Sequence, residues 1–298
     1  MSQTTVQRGV ETDRAWVCLS HSPFMTLPGN QDAGPEYRAA VEDVKKFIAD
    51  FAPDLVVMFA PDHMNMLMEV RPPFTGVLSG STLPEFDIPR IPLTVHPLAA
   101  EVYASVVQNG VDLAVGEGVS ADHGTGLTLL QLFDEPGAVP LLPVVVNAIG
   151  FPLFPVSRAV RLGEAFGQAL AAREERVLYI GTGGLSHHPP FPEPQPGARR
   201  FDPEQRAASL ATALDYLDPE WDQALLAGMA EGQADLFARV EQPEIDPRGG
   251  GANEIRTWAA AWAAGGSTPA TYTSYELVEK WITGMGVAFG SGRRPVSS

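Results

Sequence analysis

The sequence predicts a single α/β domain with a mostly parallel central sheet flanked by helices and a helical C-terminal part. Two observations support this class. Short apolar runs rich in β-branched residues alternate with longer segments of helical pattern, and the pattern becomes helical beyond Pro203. Such alternation is typical of parallel sheets covered on both faces. With 298 residues and a hydrophobic content of 45%, the chain can bury a large core.

The elements follow one another in a regular order. The predicted strands cover residues 15–19, 55–60, 111–115, 141–146 and 177–180. The helices between them cover residues 36–51, 97–109, 125–133 and 156–172. The C-terminal helices cover residues 204–216, 219–231, 233–240 and 253–264. Asparagine is a favoured N-cap residue, so we expect Asn253 to cap the last of these helices.

Composition and charge set the limits of the domain and exclude several classes of partner. We expect residues 1–13 to be disordered or frayed, residues 14–291 to form the domain and residues 292–298 to be a loose tail. The net charge of −16 argues against nucleic acid and anionic membranes as partners. Residues 136–157 carry no charge but contain five prolines, which is typical of a buried strand and a loop, not of a membrane span. A single cysteine, Cys18, excludes a disulfide framework and fits a reducing cytoplasm.

Five of the six histidines come shortly after a predicted strand: His21, His63, His123, His187 and His188. In an open parallel sheet, ligands bind outside the carboxyl ends of the strands, so we expect these histidines to meet at one crevice. One such histidine is more often a structural residue, and only the set carries weight. Neutral imidazoles favour Zn, Fe, Cu or Ni, so the sequence predicts a transition-metal site.

A carboxylate would complete a mononuclear site, and three are candidates. Asp62 and Asp122 each precede a histidine, and we interpret them as residues that orient the ligands or form turns. Glu254 follows a glycine-rich segment and opens the last predicted helix. Its residue pattern alone favours an ordinary first-turn glutamate stabilised by the helix dipole, and a metal ligand is the alternative.

Five short motifs, taken in their order along the chain, resemble those of the class III extradiol ring-cleavage dioxygenases, the superfamily of protocatechuate 4,5-dioxygenase. The resemblance runs from about residue 15 to about residue 290, and the order of the motifs is more specific than any one of them. The motifs are Leu19-Ser20-His21-Ser22-Pro23, Ala60-Pro61-Asp62-His63, Asp122-His123-Gly124, Gly183-Gly184-Leu185-Ser186-His187 and Asn253-Glu254-Ile255-Arg256-Thr257-Trp258.

The resemblance implies a function and a role for each matching residue. It implies that His21, His63 and Glu254 hold Fe(II), that His187 accepts a proton from the substrate and that His123 donates one. The implied reaction is the cleavage of a catechol-type ring beside its two hydroxyl groups, with both atoms of O₂ incorporated. A small aromatic diol such as 3-(2,3-dihydroxyphenyl)propionate is the implied substrate. The resemblance also implies that residues 14–291 are one catalytic domain and that the enzyme is a homo-oligomer.

Some positions depart from the family pattern, and they leave the substrate open. Asn253 stands where a histidine is expected, and Arg256 replaces a lysine; we expect Arg256 to be a surface charge. Residues 189–200 are rich in proline and would shape the substrate pocket. Three alternatives stay open: an extradiol dioxygenase for another catechol or an aminophenol, a zinc-dependent hydrolase, and a non-catalytic relative of the same fold.

Overall fold

Strands form the frame of this computed structural model, which describes residues 13–67, 69–137, 140–190 and 203–295. The strands described there are β1 (Arg14–Leu19), β2 (Leu55–Pro61), β3 (Phe74–Val77), β4 (Gly80–Thr82), β5 (Ala114–Gly116), β6 (Val119–Ala121), β7 (Leu141–Val146), β8 (Val177–Thr182), β9 (Tyr272–Val278) and β10 (Thr283–Ser291). Within these residues the main sheet has eight strands in the order β5-β3-β7-β2-β8-β1-β10-β9. The remaining two, β4 and β6, pair with each other.

The centre of the main sheet is parallel. The strands β7, β2, β8 and β1 lie side by side in the same direction, and all their residues are buried. Their almost continuous apolar sequences suit strands that are covered on both faces. Antiparallel strands flank this centre, with β3 beside β7 and with β10 and β9 beyond β1. The carboxyl ends of β2, β8 and β1 therefore meet at one edge.

Helices cover both faces of the sheet. The α-helices described are α1 (Pro35–Phe51), α2 (Ala99–Gln108), α3 (His123–Leu132), α4 (Val156–Ala169), α5 (Pro203–Thr212), α6 (Pro219–Glu231), α7 (Gln242–Ile245) and α8 (Ile255–Ala264). Apolar residues of α1 and α3 pack into one buried cluster, and those of α2, α4, α6 and α8 pack into a second.

The helix α8 approaches the sheet closely, and a glycine permits it. All residues of α8 are buried. A Cβ atom added at Gly181 of β8 would lie 2.4 Å from the carbonyl oxygen of Thr257 on α8, so a larger residue would force the helix away. This contact puts the N-terminus of α8, which Glu254 precedes, beside the carboxyl end of β8.

The predicted fold class is confirmed: an α/β domain with a mostly parallel central sheet and C-terminal helices. The prediction that the chain is only helical after Pro203 is wrong, because β9 and β10 extend the sheet there. Glycine is depleted in strands, and β10 contains Gly284, Gly286 and Gly290, which conceals it in the sequence.

Three smaller predictions also differ from the structure. Residues 233–240 hold a short 3-10 turn (Phe237–Arg239) in place of a helix, and the strand expected over 111–115 begins only at Ala114. Asn253 does not cap α8; its side chain binds Gly250, Gln242 and Arg256.

The two chain ends were expected to be loose. Residues 1–12 and 296–298 lie outside the described residues. At the C-terminal end, the backbone N–H of Gly292 donates to the carbonyl oxygen of Arg14, and that of Arg293 donates to Gly265. Among the described residues, no helix combines the length and the apolar character that a membrane crossing requires.

Candidate metal centre

Three of the predicted site histidines stand at adjacent strand ends. His21 follows β1, His63 follows β2 and His187 lies on the loop after β8. Because β2, β8 and β1 are parallel neighbours, their loops converge at the same edge of the sheet. The structure thus brings together residues that are far apart in the sequence.

His123 reaches the same place by a different route from the one expected. It does not follow a strand over residues 111–115. It follows β6 of the small second sheet and opens α3. Asp122 is the N-cap of that helix, and its carboxylate accepts a hydrogen bond from the backbone N–H of Gly124. The cap fixes the point at which the His123 side chain leaves the backbone.

The five side chains form one compact group. Ligand nitrogens of His21, His63 and His123 all lie within 4.8 Å of one another, so these three residues could hold a metal ion. The rings of His63 and His123 stack with their centroids 4.1 Å apart. Glu254 Oε1 lies 3.0 Å from His63 Nε2 and 3.5 Å from His187 Nε2.

In all four histidines, Nδ1 is held by a neighbour, so Nε2 is the nitrogen left for the pocket. The Nδ1 atoms contact Thr182 Oγ1 (His21, 2.8 Å), Asp122 Oδ2 (His63, 3.1 Å), Glu85 Oε1 (His123, 3.1 Å) and the Leu185 carbonyl oxygen (His187, 2.8 Å). An acceptor at Nδ1 fixes both the ring orientation and the tautomer, as is usual for histidines that bind metals.

The tautomer of His21 follows from a chain of hydroxyl groups. Thr128 Oγ1 donates to the Gly124 carbonyl oxygen at 2.8 Å, which uses its one proton. Thr182 Oγ1 must then donate to Thr128 Oγ1, 2.7 Å away, and accept from His21 Nδ1. His21 therefore carries its proton on Nδ1 and a lone pair on Nε2.

This lone pair has no partner within the described protein: His21 Nε2 is buried and makes no hydrogen bond there. Burial lowers the pKa of His21 to about 3, so the ring is neutral near neutral pH. A neutral, buried imidazole nitrogen without a hydrogen-bond partner fits a metal ligand, because an orphaned polar atom is costly to bury.

Glu254 supplies a negative charge to the same group. Burial raises the pKa of Glu254, but His187 and His63 outweigh that effect and hold the pKa well below its usual range. Its Oε2 accepts a hydrogen bond from the Gly184 N–H at 2.7 Å. A Cβ atom at Gly183 would lie 2.6 Å from the Cβ of Glu254, so a glycine is required in this loop. Histidine nitrogens with one carboxylate are a donor set suited to a divalent transition metal.

The sequence of this chain matches a known protein family over most of its length. The sequence profile of a family described as the catalytic LigB subunit of aromatic ring-opening dioxygenase matches residues 15–289. The chain belongs to this family. It is thus a ring-opening dioxygenase by descent.

Several relatives of this LigB-family chain bear the same name, 2,3-dihydroxyphenylpropionate/2,3-dihydroxicinnamic acid 1,2-dioxygenase. One from a Rhodococcus species is 36% identical, over 92% of this chain and 96% of the relative. One from Rhodococcus jostii (strain RHA1) is 36% identical over 91% of this chain and 96% of the relative. One from Mycolicibacterium paratuberculosis is 37% identical over 92% of this chain and 97% of the relative. Among solved structures, an uncharacterized protein from Escherichia coli K12 covers 93% of this chain and 99% of its own with a TM-score of 0.47 and 13% identity.

The four site histidines of this LigB-family chain line a pocket whose wall is largely apolar. Glu254 lines it as well. The apolar part of the wall is formed by Pro23, Phe24, Phe86, Pro189, Pro190, Trp281 and Ile282. Residues 191–200 of the proline-rich segment lie outside the described residues, so the prediction that this segment shapes the pocket is supported only at Pro189 and Pro190. A planar aromatic ring suits such a wall, because aromatic and apolar side chains bury its faces.

The other residues singled out in the sequence have structural contacts. Asp62 accepts hydrogen bonds from the backbone N–H groups of residues 65, 66 and 67, and so forms a turn. Asp122 Oδ2 accepts from both the backbone N–H and Nδ1 of His63, and so orients that ring. His188 stacks on Tyr216 at 4.3 Å and accepts from the Gly250 N–H.

The expectation that Arg256 is a surface charge is wrong. The side chain is buried, and its guanidinium donates to the Phe154 carbonyl oxygen and to the side-chain oxygens of Asn253 and Gln242. These contacts connect α8 to the segment before α4 and to the start of α7. Arg256 therefore supports the segment on which Glu254 stands.

Sequence reasoning missed the residues that hold the histidine rings. Thr182, Thr128 and Glu85 carry no motif that distinguishes them from other polar residues. Thr182 could have been suspected, since it ends the strand before the His187 loop. Glu85 gives no signal of its own, because its contact with His123 depends on the pairing of β4 with β6.

The hydroxyl chain behind His21 leads to a testable prediction. In a Thr182→Val variant, His21 Nδ1 loses its acceptor, so we expect the affinity for a divalent metal to fall roughly 10- to 100-fold. An anaerobic Co(II) titration against a competing chelator measures this. Thr75→Val is the matched control, because the Thr75 hydroxyl is also buried but has no hydrogen-bond partner among the described residues. An unchanged affinity in the Thr182 variant would remove this residue from the site.

Proposed function

We propose that this LigB-family chain is an Fe(II)-dependent extradiol dioxygenase. The proposed reaction incorporates both atoms of O₂ into a catechol such as 3-(2,3-dihydroxyphenyl)propionate and cleaves the ring beside the diol. The proposed ligands are His21, His63 and Glu254. The observation that carries this proposal is the buried, unpartnered Nε2 of His21 in one pocket with His63 and an ionised carboxylate.

The third ligand has two candidates, and charge favours Glu254 over His123. The nitrogens of His123, His21 and His63 are close enough to one another for a three-histidine site. Glu254, however, is fully buried and anionic, and a buried charge is costly unless an opposite charge pairs with it. Among the described residues, positive charge on His63 and His187 supplies that pairing, and a divalent cation bound by the neutral rings would supply it instead. Two histidines and one carboxylate are also the ligand set typical of non-haem Fe(II) oxygenases.

Fe(II) bound here would supply the positions at which a catechol and O₂ can bind and the redox chemistry of the reaction. The protein would supply proton transfer on either side of the metal ligands. His187 Nδ1 donates to the Leu185 carbonyl oxygen, so in the neutral ring Nε2 carries the lone pair that would accept a hydroxyl proton of the substrate. The ring lies beside Glu254 and lines the pocket.

His123 stands on the other side, stacked against His63, with Nδ1 held by Glu85. Its Nε2 is therefore free to exchange a proton with a substrate in the pocket. We assign it the role of proton donor to an oxygen that leaves during ring cleavage. Phe86 and Trp281 in the pocket wall would exclude water from these transfers.

Anaerobic loading with Fe(II), followed by O₂ and a panel of substituted catechols, tests the proposal. We expect O₂ uptake together with a yellow ring-fission product, and neither with the apoprotein. Loading with Zn(II) is the control for the metal. Ester or amide hydrolysis by the Zn(II) form, without product from the Fe(II) form, would favour the hydrolase alternative. No metal-dependent reaction in either form would favour the non-catalytic alternative.

One observation favours a second candidate, a dioxygenase for a catechol with an uncharged substituent. The described residues that line the pocket include no lysine or arginine, and Glu85 adds a negative charge. A propionate carboxylate would find no fixed cation among them. Comparing kcat/KM for 3-methylcatechol, the propionate-bearing catechol and 2-aminophenol separates the candidates. A preference for the propionate would exclude the second one.

The assembly and location of the enzyme belong to the same proposal. The family resemblance suggests a homo-oligomer, and the single cysteine fits the cytoplasm. The net charge of −16 argues against nucleic acid and anionic membranes as partners. Size-exclusion chromatography with light scattering tests the oligomeric state directly. A single species with the mass of one chain, 31.9 kDa, would contradict it.

A further inference from the structure

A turn with a strained backbone contacts the side chain of His123. The Ile88 N–H donates to the Glu85 carbonyl oxygen at 2.8 Å, which closes a β-turn. Its two central residues, Phe86 and Asp87, have φ values of 49° and 61°. Positive φ at two successive positions is typical of turns built from Asn and Gly, and phenylalanine is costly there. Such strain persists only where surrounding contacts impose it, and it is concentrated at functional sites.

Strand pairing puts this turn beside the histidine. In the second sheet, Thr82 of β4 lies opposite Ala121 of β6, and the Leu83 N–H donates to the Ala121 carbonyl oxygen at 2.7 Å. The residues after β4 therefore run next to those after β6. This register brings Glu85 and Phe86 to His123, which follows Ala121 by two positions.

Glu85 holds His123 at two points with one oxygen atom. Its Oε1 accepts from the backbone N–H of His123 at 2.8 Å and contacts Nδ1 of the same residue at 3.1 Å. The ring of Phe86 meets the imidazole edge-on, with centroids 5.1 Å apart. Together these contacts restrict rotation of the ring and commit the Nδ1 proton, so that Nε2 faces the pocket.

The same arrangement occurs a second time in the site. Asp122 Oδ2 accepts from the backbone N–H of His63 at 2.6 Å and contacts its Nδ1 at 3.1 Å. In both cases a single carboxylate oxygen bridges the backbone and the ring of one histidine. The bridge on His63 orients a proposed metal ligand. The bridge on His123 orients a residue that is not among the proposed ligands, which indicates that its orientation serves the reaction.

We propose that Glu85 is the positioning residue for His123, fixing the ring so that Nε2 meets the bound substrate. This inference rests on the proposed role of His123 in proton transfer. Glu85 lines the pocket, but its Oε1 is bound to the backbone N–H and ring of His123, so it acts through that residue. Loss of Glu85 should therefore lower turnover of a catechol with an uncharged substituent, while metal binding and KM for that substrate change little.

The test compares Glu85→Ala and Glu85→Gln in the Fe(II)-loaded enzyme. We expect kcat of the alanine variant to fall by about 10-fold or more, in line with the cost of losing a partner that orients a histidine. The glutamine variant keeps an oxygen that can accept both hydrogen bonds, so its kcat should stay within about threefold of wild type. Iron content, and KM for a catechol with an uncharged substituent, should be unchanged in both. Asp87→Asn is the matched control, since this exposed carboxyl lies in the same turn and asparagine tolerates positive φ.

A double variant shows whether Glu85 acts through His123. If it does, adding Glu85→Ala to His123→Ala should lower kcat no further, because the residue that Glu85 positions is already gone. An additive loss would overturn the inference. So would a near-normal kcat in Glu85→Ala, or an equal loss in the alanine and glutamine variants.

The outcome also separates this inference from the proposed function. A normal kcat in His123→Ala would refute the role of His123 itself. A low kcat in His123→Ala together with a normal kcat in Glu85→Ala would refute only the role of Glu85. If Glu85→Ala does not fold, Glu85→Leu, which keeps the side-chain volume but cannot accept a hydrogen bond, takes its place in the comparison with Glu85→Gln, with the same outcomes for and against the inference.

Discussion

Glu254→Ala should yield a folded protein that no longer retains Fe(II). Removing a partner that only orients a metal ligand already lowers metal affinity 10- to 100-fold, so we expect the loss of a ligand to exceed about 100-fold. The same result is expected for His21→Ala and His63→Ala. Iron content after gel filtration, with circular dichroism as a check on folding, measures the effect. The controls are Glu279→Ala, an exposed glutamate, and His96→Ala, a histidine outside the pocket.

The comparison of Glu254→Ala with His123→Ala decides which ligand set is correct. If the metal is held by two histidines and a carboxylate, His123→Ala keeps its iron and Glu254→Ala loses it. If three histidines hold the metal, the result is reversed. The geometry permits both sets, since the nitrogens of His21, His63 and His123 lie within 4.8 Å of one another. A Glu254→Ala variant with full iron content would remove Glu254 from the ligands.

The positions of His21, His63 and His187 could be expected from the sequence, because each follows a continuous apolar run. Such runs are typical of central parallel strands, and parallel strands bring their carboxyl ends together. His123 was expected at the same edge for a reason that proved wrong. It follows a three-residue strand, β6, whose pairing with β4 is too short to leave a pattern in the sequence.

Glu254 shows where residue patterns stop being informative. A glutamate before a helix is common and usually exposed, so the pattern favoured an ordinary helix start. Its burial depends on the close packing of α8 against β8 across Gly181 and on the space that Gly183 leaves. Those are tertiary contacts between distant segments. Only the family resemblance pointed to Glu254 in advance.

Asp122 was expected to orient a ligand or form a turn, but the ring that it holds could not be named in advance, and Thr182 and Glu85 gave no pattern at all. Each of the two carboxylates that bridge a histidine belongs to a different segment from the ring it holds, as Glu85 and His123 illustrate. Short polar contacts across a fold follow no periodicity. The C-terminal strands are a different case, because β9 (Tyr-Thr-Ser-Tyr-Glu-Leu-Val) has a composition that favours a strand and could have been recognised.

His187→Ala should keep its iron but lower kcat by about 100-fold or more, as is typical when a general base is lost. The physical reason is that Nε2 of His187, with Nδ1 bound to the Leu185 carbonyl oxygen, is the base proposed to take the hydroxyl proton. We expect a comparable fall for His123→Ala, the proposed proton donor. Iron analysis and steady-state O₂ uptake measure both, and His96→Ala again serves as the control. Wild-type rates in either variant would refute the role assigned to that residue.

The acidity of the substrate distinguishes the two roles. A catechol with an electron-withdrawing substituent loses its hydroxyl proton more easily and depends less on a base. The defect of His187→Ala should therefore shrink along a series of increasingly acidic catechols. The defect of His123→Ala should not, because a more acidic substrate does not replace a missing proton donor. The opposite pattern would exchange the two assignments, and equal defects along the whole series would mean that neither histidine acts on the substrate proton.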